Sequence, residues 1–425
     1  MKNQLKQIER SWILYDVGNS AYILLVTTIL PIYFKQLATK DGISAANYMA
    51  YWGYAASIST IIVALSGPLL GTLSDRKGWK KPLFLGSVLL GGLSCLCLGL
   101  PSSWRVFIVL YVISKIGYSI SLIFYDSMLT DITVAERMDL ISSKGFAWGY
   151  IGSCLPFLVG LALILGHNSI GIDFHTAVIL AFLVTALWWI LLTLPLLFRY
   201  QQLHFITKDA YVFGSGFRQL GKTLQEIVKK PEILLFLIAF FFYIDGVYTI
   251  IDMATAYGEA IGLHTSGLLL ALLLTQIIAF PAALAFGKLA RHFAAEKLIT
   301  ICITAYLFIA LYAIQLDRQS EFWFLAICIG LFQGGIQALS RSYFARLIPA
   351  EKSGEYFGIL DICGKGASFL GTGLVSLLIQ LTGNTGKGVS IISLLILAGL
   401  VFFRLSLRQQ KRETVLPFPA KKQKL

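Results

Sequence analysis

Twelve stretches of mostly apolar residues divide the 425-residue chain and restrict what it can fold into more than any other feature. They lie near 11–37, 48–74, 82–100, 104–127, 143–165 and 173–198 and, beyond a polar stretch at 199–231, near 232–257, 264–290, 296–315, 320–345, 354–381 and 388–407. Each approaches or exceeds the roughly 20 residues that a helix needs to cross hydrocarbon. The alternating segments of about ten residues that mark a closed β-barrel do not occur. The pattern predicts an all-α membrane protein with twelve transmembrane helices in two six-helix bundles. Its expected parts are an N-terminal bundle over 1–198, a cytoplasmic linker over 199–231, a C-terminal bundle over 232–407 and a basic tail over 408–425.

Composition agrees. Hydrophobic residues make up 57% of the chain and charged residues 13%, against about 25% charged in soluble domains. So much apolar surface cannot be hidden in water, and disorder or nucleic-acid binding as the main business is excluded. The net charge of +13 reflects topology instead. With both termini in the cytoplasm, 28 of the 35 Lys and Arg fall in inner segments, and five (Lys35, Lys40, Arg105, Arg318 and Lys387) in outer loops. Two, Lys115 and Lys365, lie inside spans. This is the positive-inside distribution of a multi-pass protein of the cell's inner (plasma) membrane. The polar start through Arg10 leads into an apolar run too long for a signal sequence, so it reads as a retained first span. The six Cys are scattered through apolar runs and the five His do not cluster, so neither metal nor cofactor is expected.

The halves repeat. The loop after the second span, Gly71 to Lys81, matches the one after the eighth, Gly287 to Lys297, at an offset of 216. Ala135-Glu136-Arg137 matches Ala350-Glu351-Lys352 at an offset of 215, as an internal duplication would place them.

Within the first of these loops, Gly67-Pro-Leu-Leu-Gly71-Thr-Leu-Ser-Asp75-Arg76-Lys77-Gly78 resembles the signature loop of the major facilitator superfamily. Three further strings resemble the vacuole-effluxer-like family within it: Ser11 to Ser20, Phe124 to Ile132 and Asp245 to Ile250. Gln333-Gly-Gly-Ile-Gln337-Ala-Leu-Ser-Arg341-Ser-Tyr-Phe-Ala-Arg346-Leu-Ile-Pro349 carries the same resemblance most closely. The resemblance implies the facilitator fold, rocking-bundle alternating access and export of small solutes such as amino acids. It also implies a cytoplasmic latch at Gly71, Asp75, Arg76 and Gly78 that breaks as the halves rock. Asp126, Asp131, Arg341 and Arg346 join that gating set.

Ionisable groups in lipid are costly unless they face a cavity or a partner, which makes each a functional candidate. Asp16, Asp126, Asp245, Asp252 and Asp361 lie in spans, together with Lys115 and Lys365. Gln333, Gln337 and Arg341 share one helical face at i, i+4 and i+8, as do Asp245, Thr249 and Asp252 at i, i+4 and i+7. Asp245 and Lys115 fall near the middle of their spans, whereas Asp16 and Asp126 fall near the cytoplasmic ends. The expected substrate or coupling set is therefore Asp245, Asp252, Lys115, Asp16, Asn19, Gln333 and Gln337. Asp361 and Lys365, at i and i+4, read as a structural pair.

Gly216-Phe-Arg-Gln-Leu-Gly221-Lys222-Thr223 fits the phosphate-loop pattern, but the 33 residues of 199–231 cannot hold a nucleotide domain. Phe217, Leu220, Leu224, Ile227 and Val228 instead mark the apolar face of an interfacial helix, with Arg218, Lys222 and Lys229 facing lipid phosphates. No nucleotide, nucleic acid or enzymatic activity is expected. The expected partners are a small-molecule solute, the lipid bilayer and protons. The sequence reads as a secondary transporter of a small polar solute, with amino-acid efflux coupled to protons as the first form. A cation-coupled sugar symporter and a transporter-like sensor that no longer translocates are the alternatives.

Overall fold

A computed structural model describes residues 2–100, 103–207, 215–260, 262–383 and 385–415. The tail beyond Val415 lies outside them. The N-terminal half holds α1 (Lys2–Lys40), α2 (Ala45–Ser74), α3 (Lys80–Cys97), α4 (Trp104–Ser127), the one-turn α5 (Leu129–Ile132), α6 (Met138–Ile170) and α7 (Phe174–Arg199). After α8 (Ser215–Val228) come α9 (Pro231–Ala260), α10 (Thr265–Leu289), α11 (Ala295–Ala313), α12 (Gln319–Leu347), α13 (Ser353–Thr382) and α14 (Thr385–Val415). Twelve of these are long and apolar enough to span a membrane, and their limits follow the twelve apolar runs to within a few residues at most ends. Hydrocarbon forces every backbone group to bond within its own helix, so the length of an apolar run fixes the length of its element.

The side of the membrane that holds α8, the Asp75 loop and most of the Lys and Arg is called the basic side below. Ala135–Arg137 and Ala350–Lys352, the pair offset by 215, both form 3-10 turns there and lead into α6 and α13. Inside the first bundle α1 packs on α6 and α7, and α4 on α2 and α3; inside the second α9 packs on α13 and α14, and α12 on α10 and α11. The bundles meet along two seams, α2 with α13 and α6 with α10. Glycines let these backbones approach. A Cβ at Gly71 would lie 2.2 Å from the Gly354 carbonyl oxygen, and one at Gly287 would lie 2.7 Å from Ser143 Cβ.

α8 does form across the phosphate-loop match, but its sides differ from the expectation. Its buried stripe is Gln219, Thr223 and Ile227, turned toward α2 and α9, while Leu224 and Val228 are exposed. Phe217's side chain lies outside the described set. The apolar face read from spacing is therefore split between protein and surroundings, because the bundle ends offer polar as well as apolar partners.

Candidate substrate cavity and basic-side gate

Between the bundles lies a cavity of about 370 Å³. α1 contributes Asp16, Asn19 and Ser20 to its wall, α4 Asp126, α9 Tyr248 and Asp252, and α12 Gln333, Gln337 and Arg341. α6 adds Tyr150, and α13 adds both Asp361 and Lys365. The costly residues gather because α1, α4, α9 and α12 each turn one stripe inward; a cavity is where a polar stripe on a membrane helix is tolerated.

Arg341 is the centre of charge. Its guanidinium donates to Asp126 Oδ1 at 2.9 Å, to Ser142 Oγ at 2.9 Å and to the Ser142 carbonyl at 3.0 Å, with Asp16 Oδ2 at 3.8 Å. Aromatic faces enclose it, with the Trp12 ring centroid at 4.6 Å and that of Phe146 at 4.3 Å. The charge is thus bonded in its plane and stacked on aromatic faces, an arrangement suited to arginine and not to lysine. Asp16 and Asp126, placed by span depth near the cytoplasmic end, line the cavity floor and join the two bundles through Arg341. Tyr150 donates to Gln337 Oε1 at 3.0 Å.

Asp361 and Lys365 pair at 2.5 Å as their spacing predicts, yet both also line the cavity, and Lys365 Nζ lies 3.4 Å from the Ser119 carbonyl of the other bundle. Lys115 stands apart from the lining residues. Its ammonium sits 5.8 Å from the Tyr111 ring centroid and within electrostatic reach of Asp252 and Lys365. Asp245 does not line the cavity: it is fully buried between α9 and α13. Its Oδ1 accepts from Thr249 Oγ1 at 3.3 Å and from the Gly371 amide at 3.1 Å. The i, i+4, i+7 stripe is therefore divided: Asp245 and Thr249 face the α13 contact, and Asp252 faces the cavity.

Toward the basic side the cavity is closed by polar contacts between bundles. Asp75 accepts from the amides of Gly354 at 2.7 Å and Glu355 at 2.9 Å, the first turn of α13, where a helix offers unpaired N–H groups and a positive dipole end. Lys80 Nζ donates to Ser353 Oγ at 2.8 Å and lies 3.9 Å from Asp75. Asp75 thus has a helix terminus and a basic side chain as partners, the shorter contacts being to the terminus of the opposing helix. Burial pushes its carboxyl up to about 7, against the pull of Lys80 and the two amides. Ser142 Oγ donates to the Ala338 carbonyl at 2.7 Å, and Arg346 donates to Asp139 at 2.7 Å.

Two members of the expected gating set, Asp131 and Arg76, also contact the segment after α7. Asp131 holds the segment after α7, accepting from Tyr200 Oη at 2.5 Å and from the His204 amide and Nδ1, each at 2.9 Å. Its contact with Lys80, at 3.8 Å, stays inside its own bundle. Arg76 forms an isolated backbone bridge with Ile206 and lies over Trp79 at 6.0 Å. Gly78 takes φ of +78° and donates its amide to Gln202 Oε1 at 2.9 Å, so the loop turns back under α2. Sequence reasoning missed Ser353, Gly354 and Glu355, although the repeated Ala-Glu-Lys/Arg turn directly before them was the available signal. It also missed Asp139, Ser142 and Lys80, whose importance depends on what they face.

The sequence profile of the family described as vacuole effluxer Atg22 like matches residues 4–136 and 130–415. The chain belongs to that family. The uncharacterized MFS-type transporter YxiO of Bacillus subtilis is 42% identical over 406 residues, covering 94% of this chain and 95% of its own. Autophagy-related protein 22 of Kluyveromyces lactis is 21% identical, covering 97% and 96%. Among solved structures, the major facilitator transporter FucP in its outward conformation superposes with a TM-score of 0.68 at 14% identity, covering 95% of this chain and 98% of FucP. A bacterial homologue of the iron transporter ferroportin, in an outward-facing state, gives 0.68 at 14% identity, covering 95% and 99%. These neighbours share the fold, and this Atg22-like chain is a membrane transporter of the major facilitator type.

Proposed function

We propose that the protein exports small zwitterionic amino acids across the plasma membrane by alternating access, with both termini in the cytoplasm. One observation carries the reading: the cavity presents both signs of charge in one apolar-walled chamber. Asp252 is exposed to it, Lys365 and Arg341 lie on its wall, and Ile251, Leu360 and Phe240 supply apolar surface. An ammonium and a carboxylate on one small solute can each meet an opposite charge there, and an apolar side chain can be desolvated between them. The Lys and Arg distribution supports a cytoplasmic basic side; on that reading the closed gate at Asp75 faces the cell interior and this conformation faces outward. The description of the family as vacuole effluxers supports movement of a small solute across a membrane.

The test is efflux of labelled leucine from proteoliposomes holding the full-length chain, beside Asp252→Asn. Leucine efflux above empty liposomes, lowered about tenfold or more in the variant, is the expected result. Folded protein that releases no amino acid but binds or moves a labelled sugar would replace the reading with the sugar symporter. Protein that moves neither would favour the sensor.

A further inference from the structure

We propose that Asp245 is a proton-carrying site, separate from the solute cavity and occluded in this conformation; the proposal rests on the transport reading above. Its carboxyl is fully buried at the α9–α13 contact. Oδ1 receives a hydroxyl from Thr249 and the amide of Gly371, while Oδ2 has no hydrogen-bond partner among the described residues. A Cβ at Gly371 would sit 2.2 Å from Oδ1, so α13 is pressed against the acid.

Among the described residues, the groups facing it from each packed element are neutral. On α9 the next turn offers Thr249; α13 offers the Gly371 backbone; α14 places Ile392 and Ile396 against the adjacent Gly246. The titratable side chains nearby on α9 and α13 (Tyr248, Asp252, Asp361 and Lys365) line the cavity instead. An ionised carboxylate in hydrocarbon without a cation beside it is costly, and a neutral acid is the inexpensive form. Both polar partners are donors, which suits a carbonyl oxygen at Oδ1 and a proton on Oδ2. It does not suit a metal cation, which asks for several oxygen ligands rather than an amide N–H.

α13 connects this site to the rest of the machine. Its first turn binds Asp75, its middle carries Asp361 and Lys365 into the cavity, and its Gly371 caps Asp245. When the gate opens, α13 moves relative to α2, Gly371 leaves Oδ1, and the acid releases its proton to water on the newly open side. On return to the outward-facing form a carboxylate takes a proton from the outer solution before α13 closes over it. The step is –COO⁻ plus H⁺ giving –COOH, one proton inward for each solute carried outward.

The experiment has two arms on the full-length chain in lipid. In the first, infrared difference spectra of wild type and Asp245→Asn at neutral pH are compared, with no solute present. The carbonyl stretch of a protonated carboxyl, present in wild type and missing in the variant, is expected; its absence from wild type overturns the proposal whatever the solute proves to be. In the second, leucine-loaded vesicles containing a trapped pH dye receive an acid step outside. Wild type should show faster efflux with proton uptake. Asp245→Asn should lose the stimulation by about tenfold or more while keeping leucine–leucine exchange at equal pH within about twofold. A variant that keeps gradient-driven efflux and proton uptake overturns the assignment. Leucine movement absent from wild type, with the infrared band present, would refute the solute and leave the proton site standing.

Discussion

Arg341 and Asp75 show how much of this protein rests on single side chains whose partners come from the other half of the chain. Arg341 is 6% exposed and holds five groups in fixed directions: two carboxylates, Ser142 and two aromatic faces. Lysine keeps the charge but can reproduce neither the planar fork nor the stacking. Arg341→Lys should therefore lower solute efflux by about tenfold or more, equivalent to roughly 1.4 kcal/mol in barrier, measured in vesicles at matched protein content. Asp75 makes a prediction about pH. Its ordinary value is 3.8 and its docked value is about 7, so the docked form binds the proton more tightly than the undocked form. Docking is thus favoured by acid, and the gain is lost as pH rises from about 4 to about 7. Spin labels across the basic side should report a closed population that grows as pH falls through that window, and Asp75→Asn should flatten the curve. Lys80, Asp131 and Glu355 are the other charged groups around this joint.

At the scale of elements, glycine contacts decide how closely α2 and α13 can approach. A Cβ at Gly354 would meet Ser74 Oγ at 2.1 Å and the Gly71 carbonyl oxygen at 2.5 Å. Neither is the end of a long flexible chain, so the helices must separate. Gly354→Ala should weaken the closed basic side by about 1–3 kcal/mol, seen as raised accessibility of gate residues to a thiol reagent supplied on the basic side after cysteine substitution. α8 is held by its inward stripe rather than by its exposed apolar residues. Ile227→Ala should lower the unfolding midpoint, at a cost of about 2 kcal/mol or more, whereas Leu224→Ser should leave the midpoint of detergent-solubilised protein nearly unchanged. Equal effects of the two substitutions would show that α8 is not docked as seen.

For the molecule as a whole, alternating access requires that the contacts closing one side be strong enough to hold and weak enough to break. Arg346 on α12 and Asp139 on α6 form such a contact at the rim, 2.7 Å apart and partly exposed. Reversing either charge alone should shift the population toward the inward-open form, and Arg346→Asp combined with Asp139→Arg should restore much of it. A double-mutant cycle on distance distributions between the bundles reads this directly; strict additivity would mean the pair does not contribute to closure.

The chain's own order of residues determined the twelve spans, their six-plus-six division and the membership of the cavity helices, because hydrocarbon demands long apolar helices and penalises every misplaced charge. It also singled out Asp16, Asn19, Asp126, Asp252, Gln333, Gln337 and Arg341, which all line one cavity. Tertiary structure alone decided who faces whom. Helical spacing placed Asp245 and Asp252 on one stripe, but the position of α13 splits that stripe between a buried contact and the cavity. Asp131 read as a gate residue, and packing shows that it also anchors the segment after α7. Asp75 read as part of a latch, and only packing shows that the latch closes on the first turn of α13, 279 residues away at Gly354. Periodicity reports the direction of a side chain about its own helix axis; it carries no information on which neighbouring helix occupies that direction, and the packing of the two bundles supplies it.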